Sequence, residues 1–195
     1  MQETDEIKTL IGWLAEADPA RREHAATEIY RRGTQAALSA ARDWMKDAEL
    51  ARIFSVDPSG VPHMTVGIAV TPANFESIHT SHGSPRLAKV PPDQDAREFE
   101  LHFPHGARLD ILTTREPRGN GAIAHFLEKF SEGIQQVELL VLDVDQAMKI
   151  LNARFGVAPI YAATRSGADG TRVNFFLAGL PEGGKILIEL VEERP

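Results

Sequence analysis

Gly133-Ile134-Gln135-Gln136-Val137-Glu138-Leu139-Leu140-Val141-Leu142, running into Asp143-Val144-Asp145-Gln146-Ala147, is the stretch on which the fold turns. Residues 135–142 read as a strand and residues 145–154 as a helix, with further strands near 158–163, 172–177 and 185–191. The same order occurs once before. From Met64 to Val70 the chain alternates, with Val66, Ile68 and Val70 on one face and Thr65, Gly67 and Ala69 on the other. Residues 72–82, with Phe75 and Ile78, read as a helix. Residues 98–103 and 108–113 read as strands joined at Pro104-His105-Gly106, and a Pro- and Gly-containing loop at 115–121 leads to a helix at 122–130. This element order predicts an α+β protein: two βαβββ modules, about 62–120 and 133–192, forming one curved mixed sheet with a cleft.

Upstream, the pattern is helical. Ile7, Leu10, Ile11 and Leu14 recur at helical spacing, and Asp18-Pro19 is a helix start, with Asp as N-cap and Pro in the first turn. Gly33 reads as the end of that helix and Thr34 as the cap of the next, which carries Leu38, Ala41, Trp44 and Met45. The segment from Asp18 to Gly33 looks like a HEAT-type hairpin. One such repeat cannot bury its own apolar face, so it is expected to pack on the main domain or on a second subunit. Trp13 and Trp44 are the expected anchors. Residues 1–56 are thus an expected helical appendage, Asp57-Pro58-Ser59-Gly60 a turn-rich linker, and 57–195 the main domain.

Composition narrows the function. The chain has 195 residues, 43% hydrophobic and 25% charged, an ordinary balance for a folded protein. No apolar run approaches the ~20 residues that cross a bilayer. The first residues are acidic, unlike a secretory signal, so a cytoplasmic protein is expected. The absence of cysteine excludes disulfides, thiolate metal sites and a Cys nucleophile. A net charge of −7 with no basic run longer than a pair argues against nucleic acid or an anionic membrane as partner.

Gly133 to Leu139 and Val141 to Ala147 resemble the start of the second module of methylmalonyl-CoA epimerases, members of the glyoxalase, or vicinal oxygen chelate, superfamily. Gly170-Thr171-Arg172-Val173-Asn174-Phe175 and Ile186-Leu187-Ile188-Glu189-Leu190 resemble that family's last two strands. Ala122 to Lys129 resembles its inter-module helix, and Val66 to Val70 its first strand. The resemblance spans about residues 62–192 and implies a divalent metal held by two His, a Gln and a Glu. Those four positions are here Thr65, Gln136, Asp110 and Glu189, so both imidazoles are replaced. The remaining oxygen donors, Asp110, Gln136 and Glu189 above all, suit a hard cation such as Mg²⁺, Mn²⁺ or Ca²⁺, or no metal. The resemblance also implies a pair of catalytic carboxylates, Glu189 and Glu100, the latter interchangeable with Glu98 by a two-residue slip. Arg172 and Asn174 match the family pattern and are candidate contacts to an acyl or phosphate group, or a solvent-side Arg and a strand Asn. Glu138 shares a strand face with Gln136 and joins the candidate ligand-binding set of Thr65, Asp110, Gln136, Glu138, Arg172 and Asn174. Leu187 and Val191 flank Glu189 at period two as walls.

Other groupings are weaker. His79 with His82, and His102 with His105, have the i, i+3 spacing of a zinc pair. They read as surface or turn histidines, because zinc needs three or four converging ligands. His63 replaces the missing imidazole only if its strand is displaced by two residues. Ser166-Gly167-Ala168-Asp169-Gly170 lacks a phosphate-loop Lys and reads as a turn. The expected function is binding of a small polar or acyl ligand at a degenerate metal site by a homodimer. The alternative is an active metal-dependent epimerase or lyase acting by enolisation.

Overall fold

The computed structural model describes residues 2–193. Its elements in chain order are α1 (Gln2–Leu14), α2 (Pro19–Ala40), α3 (Leu50–Ile53), β1 (Met64–Ala69), α4 (Pro72–Ser81), β2 (Arg97–His102), β3 (Arg108–Thr113), α5 (Ala122–Phe130), β4 (Gly133–Leu140), α6 (Val144–Phe155), β5 (Arg165–Ser166), β6 (Arg172–Gly179) and β7 (Lys185–Glu192). They form two compact units. One takes the chain up to Gly33 together with Thr65–Gln135; the other takes Thr34–Met64 together with the chain from Gln136 onward.

In the first unit the strands lie in the order β2-β3-β1, with β1 parallel and β2 antiparallel to β3. Period two separates two faces. Val66 and Ile68, Leu109 and Ile111, Phe99 and Leu101 are buried on one. Phe75 of α4 meets Phe99 edge-on at 4.9 Å there. Thr71 caps α4, and the Glu132 carboxylate locks that cap by accepting from Thr71 N at 2.7 Å and Thr71 Oγ at 2.8 Å.

The expected break at Gly33 is corrected: α2 is one helix of 22 residues running through Gly33-Thr34. The glycine serves a close approach instead of a stop. A Cβ there would lie 2.7 Å from both Val66 methyls, so only a bare backbone fits against β1. Asp18 does cap the helix, accepting from Ala20 N at 3.0 Å. Trp44 is buried, whereas Trp13 is half-buried beside His24 and Arg21.

This module is βαββ among the described residues. Between α4 and β2 the chain carries Pro85, Pro91 and Pro92, which lack ladder donors, and residues 85–96 form no strand. Ala88 N donates to Glu98 O at 3.0 Å.

The second unit has the order β4-β7-β6-β5 and the full βαβββ sequence, β4 parallel to β7 and β6 antiparallel to both β7 and β5. Val137, Leu139, Ile188, Leu190 and Phe176 form its buried face, and α6 buries Val144, Ala147, Ile150 and Leu151. Asp143 caps α6 at one end and Gly156, in the left-handed region, closes the other. Leu50, Ile53 and Phe54 are buried in the same unit, and Leu142 N donates to Ile53 O at 2.8 Å. Arg154 of α6 pairs with Asp47 at 2.7 Å and with Glu49. The strand expected at 158–163 falls instead at Arg165–Ser166. Within 158–163 the chain keeps an isolated bridge from Pro159 to Phe176, with Ile160 N donating to Phe175 O at 2.8 Å, and the Asn174 side chain takes over at Tyr161, donating to its O at 2.9 Å and accepting from its N at 3.3 Å. The 166–170 segment is the expected turn, with Asp169 and Gly170 at φ 50° and 85°. No helix among the described residues is long and apolar enough to cross a membrane.

Candidate functional site

In the second unit three polar side chains meet. Glu138 of β4 and Glu189 of β7 are register partners, so their side chains leave the same face side by side. Gln136 stands two residues before Glu138 on that face. Its Nε2 donates to Glu189 Oε2 at 2.5 Å and approaches Glu138 Oε1 at 3.4 Å. Gln136 and Glu189 are each 7% exposed, and Glu138 is half-buried. Two adjacent carboxylates repel, and the two hydrogens of one carboxamide face both of them.

The first unit has a counterpart. Asp110 of β3, 8% exposed, is in register with Gly67 of β1 and with Glu100 of β2. Thr65 lies on the same face, two residues before Gly67. Glu100 is exposed and pairs with His102 at 3.1 Å, while Glu98 is half-buried on the same face.

Arg172 and Asn174 stand elsewhere. Phe175 is the register partner of Glu189, so Arg172 and Asn174 point to the other face of β6, the one packed on α6. Arg172 is held by Glu192 at 2.8 Å and by Asp145; these carboxylates raise its pKa further, and Thr164 and Arg172 together hold Asp145 below the usual carboxylate value. Asn174 is fully buried and committed to Tyr161. The two family-pattern residues therefore tie β6 to its neighbours and do not join the Glu189 cluster.

The histidine pairs hold backbone or turns. His79 Nε2 meets Pro85 O at 2.7 Å, His82 Nε2 meets Leu14 O at 3.1 Å, and His105 sits at φ 62° in the turn after β2. His63 lies just before β1, where its carbonyl accepts from Leu140 N at 3.1 Å. No group of three or more His, Cys, Asp or Glu placed to hold a metal ion occurs among the described residues. As oriented, the Gln136 carboxamide turns its nitrogen, a donor with no lone pair for a cation, to Glu189 Oε2, and its oxygen is the atom that a hard cation would use. An open groove of about 660 Å³ in the second unit, lined by Asp47, Glu49, Arg52, Leu142, Gln146 and Arg154 among others, contains none of the candidate residues.

Phe175 shares the Glu189 face, which the sequence alone did not show. The signal was the period-two run Val173, Phe175, Leu177, whose parity differs from that of Arg172 and Asn174; only the β6–β7 register assigns it to the Glu189 face.

Mixed strand sets of this kind, built twice along the chain as a strand, a helix and further strands with the first strand parallel to the last, define a glyoxalase-type, or vicinal oxygen chelate, protein. A methylmalonyl-CoA epimerase from Mycobacterium tuberculosis superposes with a TM-score of 0.54 at 34% identity, over 67% of this chain and 87% of that one. The chain belongs to the methylmalonyl-CoA epimerase family. A Streptomyces coelicolor methylmalonyl-CoA epimerase in complex with 2-nitronate-propionyl-CoA shares the fold at 23% identity, with a TM-score of 0.52 over 69% of this chain and 98% of that one. A Bacillus halodurans protein does so at 22% identity, with a TM-score of 0.53 over 67% and 93%. No family model and no curated protein matches the chain.

Proposed function

We propose that this protein is a cytoplasmic acyl-ligand-binding member of its family in which the metal site has degenerated. The observation that carries the reading is the Gln136–Glu189 hydrogen bond at a position where the family resemblance implies an imidazole ligand. A neutral amide here satisfies a buried carboxylate that a cation would otherwise neutralise. Solved relatives hold 2-nitronate-propionyl-CoA and methylmalonyl-CoA, so an acyl thioester is the ligand class proposed. Its contacts in the second unit are assigned to Gln136 and Glu138, with the chemistry resident in residues 57–195 and residues 1–56 as a helical appendage. Glu189 is the group able to take a proton from the carbon next to the thioester carbonyl. Glu100, exposed and tied to His102, is a weaker second acid. Enolisation is therefore reduced or lost while binding remains. The protein is proposed to be a homodimer, which light scattering at high micromolar concentration tests.

A second reading, a working epimerase or lyase, is favoured by the 34% identity to an epimerase together with Glu189, which keeps the residue type that the family resemblance implies for the last strand. In that case Gln136 and Glu189 would take Mg²⁺, Mn²⁺ or Ca²⁺ after the Gln136 amide turned over. Proton exchange at the α-carbon of methylmalonyl-CoA in deuterated buffer separates the two. The expected result is no exchange above background with or without Mg²⁺, Mn²⁺ or Co²⁺. Metal-dependent exchange at enzymatic rates, abolished by Glu189→Gln, overturns the proposal.

A further inference from the structure

Asn120-Gly121 is the only Asn-Gly pair in the chain, and it closes the loop between β3 and α5. Both halves of the pair are uncommitted. Asn120 is exposed, and among the described residues its carboxamide meets no hydrogen-bond partner. Gly121 is the N-cap of α5, extended at φ −70° and ψ 153°. Its carbonyl accepts from His125 N at 3.1 Å, whereas its amide, among the described residues, donates to no acceptor. The other three asparagines differ. Asn74 lies in α4 and gives its amide to Glu132, and Asn174 is fully buried and bonded to Tyr161. Asn152 lies inside α6, where the next backbone amide belongs to the helix ladder.

The loop around Asn120 is held by one carboxylate. Asp95 accepts from Thr114 Oγ1 at 2.5 Å, from Arg115 N at 3.0 Å and from Glu116 N at 3.1 Å. The glycines on either side of Asn120 lie against it. A Cβ on Gly119 would stand 3.4 Å from Asp95 Oδ2, and one on Gly121 would stand 2.8 Å from the same atom. Bare backbone on both sides is what lets the loop close round this carboxylate.

We infer that Asn120 is a site of self-modification, converted to aspartate and isoaspartate through a cyclic imide with Gly121. The missing side chain of Gly121 leaves its nitrogen open to approach the asparagine side chain. Gly121 N gives its proton to water and bonds to Asn120 Cγ. The Cγ–Nδ2 bond breaks, and the nitrogen leaves as ammonia with a proton from water. Water then opens the imide. Attack at Cγ gives aspartate; attack at the main-chain carbonyl gives isoaspartate, whose backbone runs through the former side chain and is one carbon longer. The balance is one amide and one water consumed, one carboxylate and one ammonium formed. The isoaspartate lengthens the chain between two glycines that both fit against Asp95. Both contacts cannot then be kept, so the clamp on the Arg115 and Glu116 amides opens.

The test is to age the full chain in neutral buffer, digest it and read the peptides by mass spectrometry, with fragmentation that separates aspartate from isoaspartate. The peptide holding residue 120 should gain the mass of an amide-to-acid exchange and contain isoaspartate. Peptides holding Asn74, Asn152 and Asn174 should stay unchanged. Asn120→Gln, which would have to close a larger ring, should keep the fold and lose the reaction. In aged protein the Arg115 and Glu116 amides should exchange hydrogen about tenfold faster, the effect of losing a hydrogen bond, and equally aged Asn120→Gln should show no change. Asn120 that stays intact in the folded chain while it converts in the chain unfolded by guanidinium overturns the inference. So does conversion of Asn74 or Asn152 at the same rate. Unaltered exchange at Arg115 and Glu116 in isoaspartate-containing protein overturns the opening of the Asp95 clamp.

Discussion

The two modules are copies in register but not in chemistry. Their parallel pairs superpose in pattern: Gly67 faces Asp110 across β1 and β3 as Glu138 faces Glu189 across β4 and β7. By the same count Thr65 corresponds to Gln136, and Glu100, opposite Asp110, corresponds to Phe175, opposite Glu189. On the helix-covered face Phe99, opposite Ile111, corresponds to Asn174, opposite Leu190. That last exchange goes with the difference in strand number, beside the prolines between α4 and β2. Asn174 spends its amide on the Tyr161 backbone and so holds another chain segment beside β6. Phe99 has no hydrogen bond to offer; it packs on Phe75 and His79, and the chain beyond α4 forms no strand. Duplicated modules can therefore keep one ladder and diverge in what each strand face recruits.

Exchanging these core positions gives the largest effects. Phe99→Ala should destabilise the protein by about 3–5 kcal/mol in urea denaturation, because it opens a cavity against Phe75. Asn174→Ala should cost less, about 1–3 kcal/mol, chiefly from the Tyr161 backbone groups left unpaired, and the Tyr161 amide should lose protection from hydrogen exchange. A cost for Asn174→Ala equal to that of Phe99→Ala, with Tyr161 still protected, would sever Asn174 from the strand difference.

Acid should loosen the first unit before the second. Burial, aided by Arg22, pushes His82 below its usual value of 6.5, outweighing its bond to Leu14 O. A depressed histidine contributes stability that is full above about 6.5 and lost as pH falls through the folded value. In the second unit Asp47 is held below its usual 3.8 by the Leu50 amide and Arg154, and Asp145 by Thr164 and Arg172, so their contributions are lost only as pH falls below about 3.8. Between pH 7 and 5, protection factors in α1 and α4 should decline while those in α3 and α6 hold, and His82→Gln should abolish the difference. The smallest effect is a gain. Glu138→Gln relieves the facing carboxylates and should stabilise by about 0.2–1 kcal/mol in thermal unfolding. A loss of stability would mean that Glu138 is more than a tolerated charge beside Glu189.

Much of this architecture is legible in the amino acids. Alternation from Met64 to Val70 and the strand–helix change near Asp143 mark β1, β4 and α6, because period two and capping residues are local signals. Gln136, Glu138 and Glu189 could be named as a group because two lie on one strand and family resemblance supplies the third. What stays hidden depends on partners distant in the chain. Whether Gly33 stops a helix or admits a strand is decided by Val66. Whether Arg172 faces a ligand or Asp145 is decided by the register of β6 on β7. Register is a tertiary quantity, and a shift of one residue reverses every face assignment.

The contact between Gly33 and Val66 also constrains how this protein can change over time. Position 33 is not free to vary first, because any side chain there collides with the methyls at 66. The accessible route is a compensated one, in which position 66 first shrinks to alanine and position 33 then gains a methyl. Lineages descended from this chain should therefore carry a glycine with a β-branched partner, or two alanines, and seldom the combinations between.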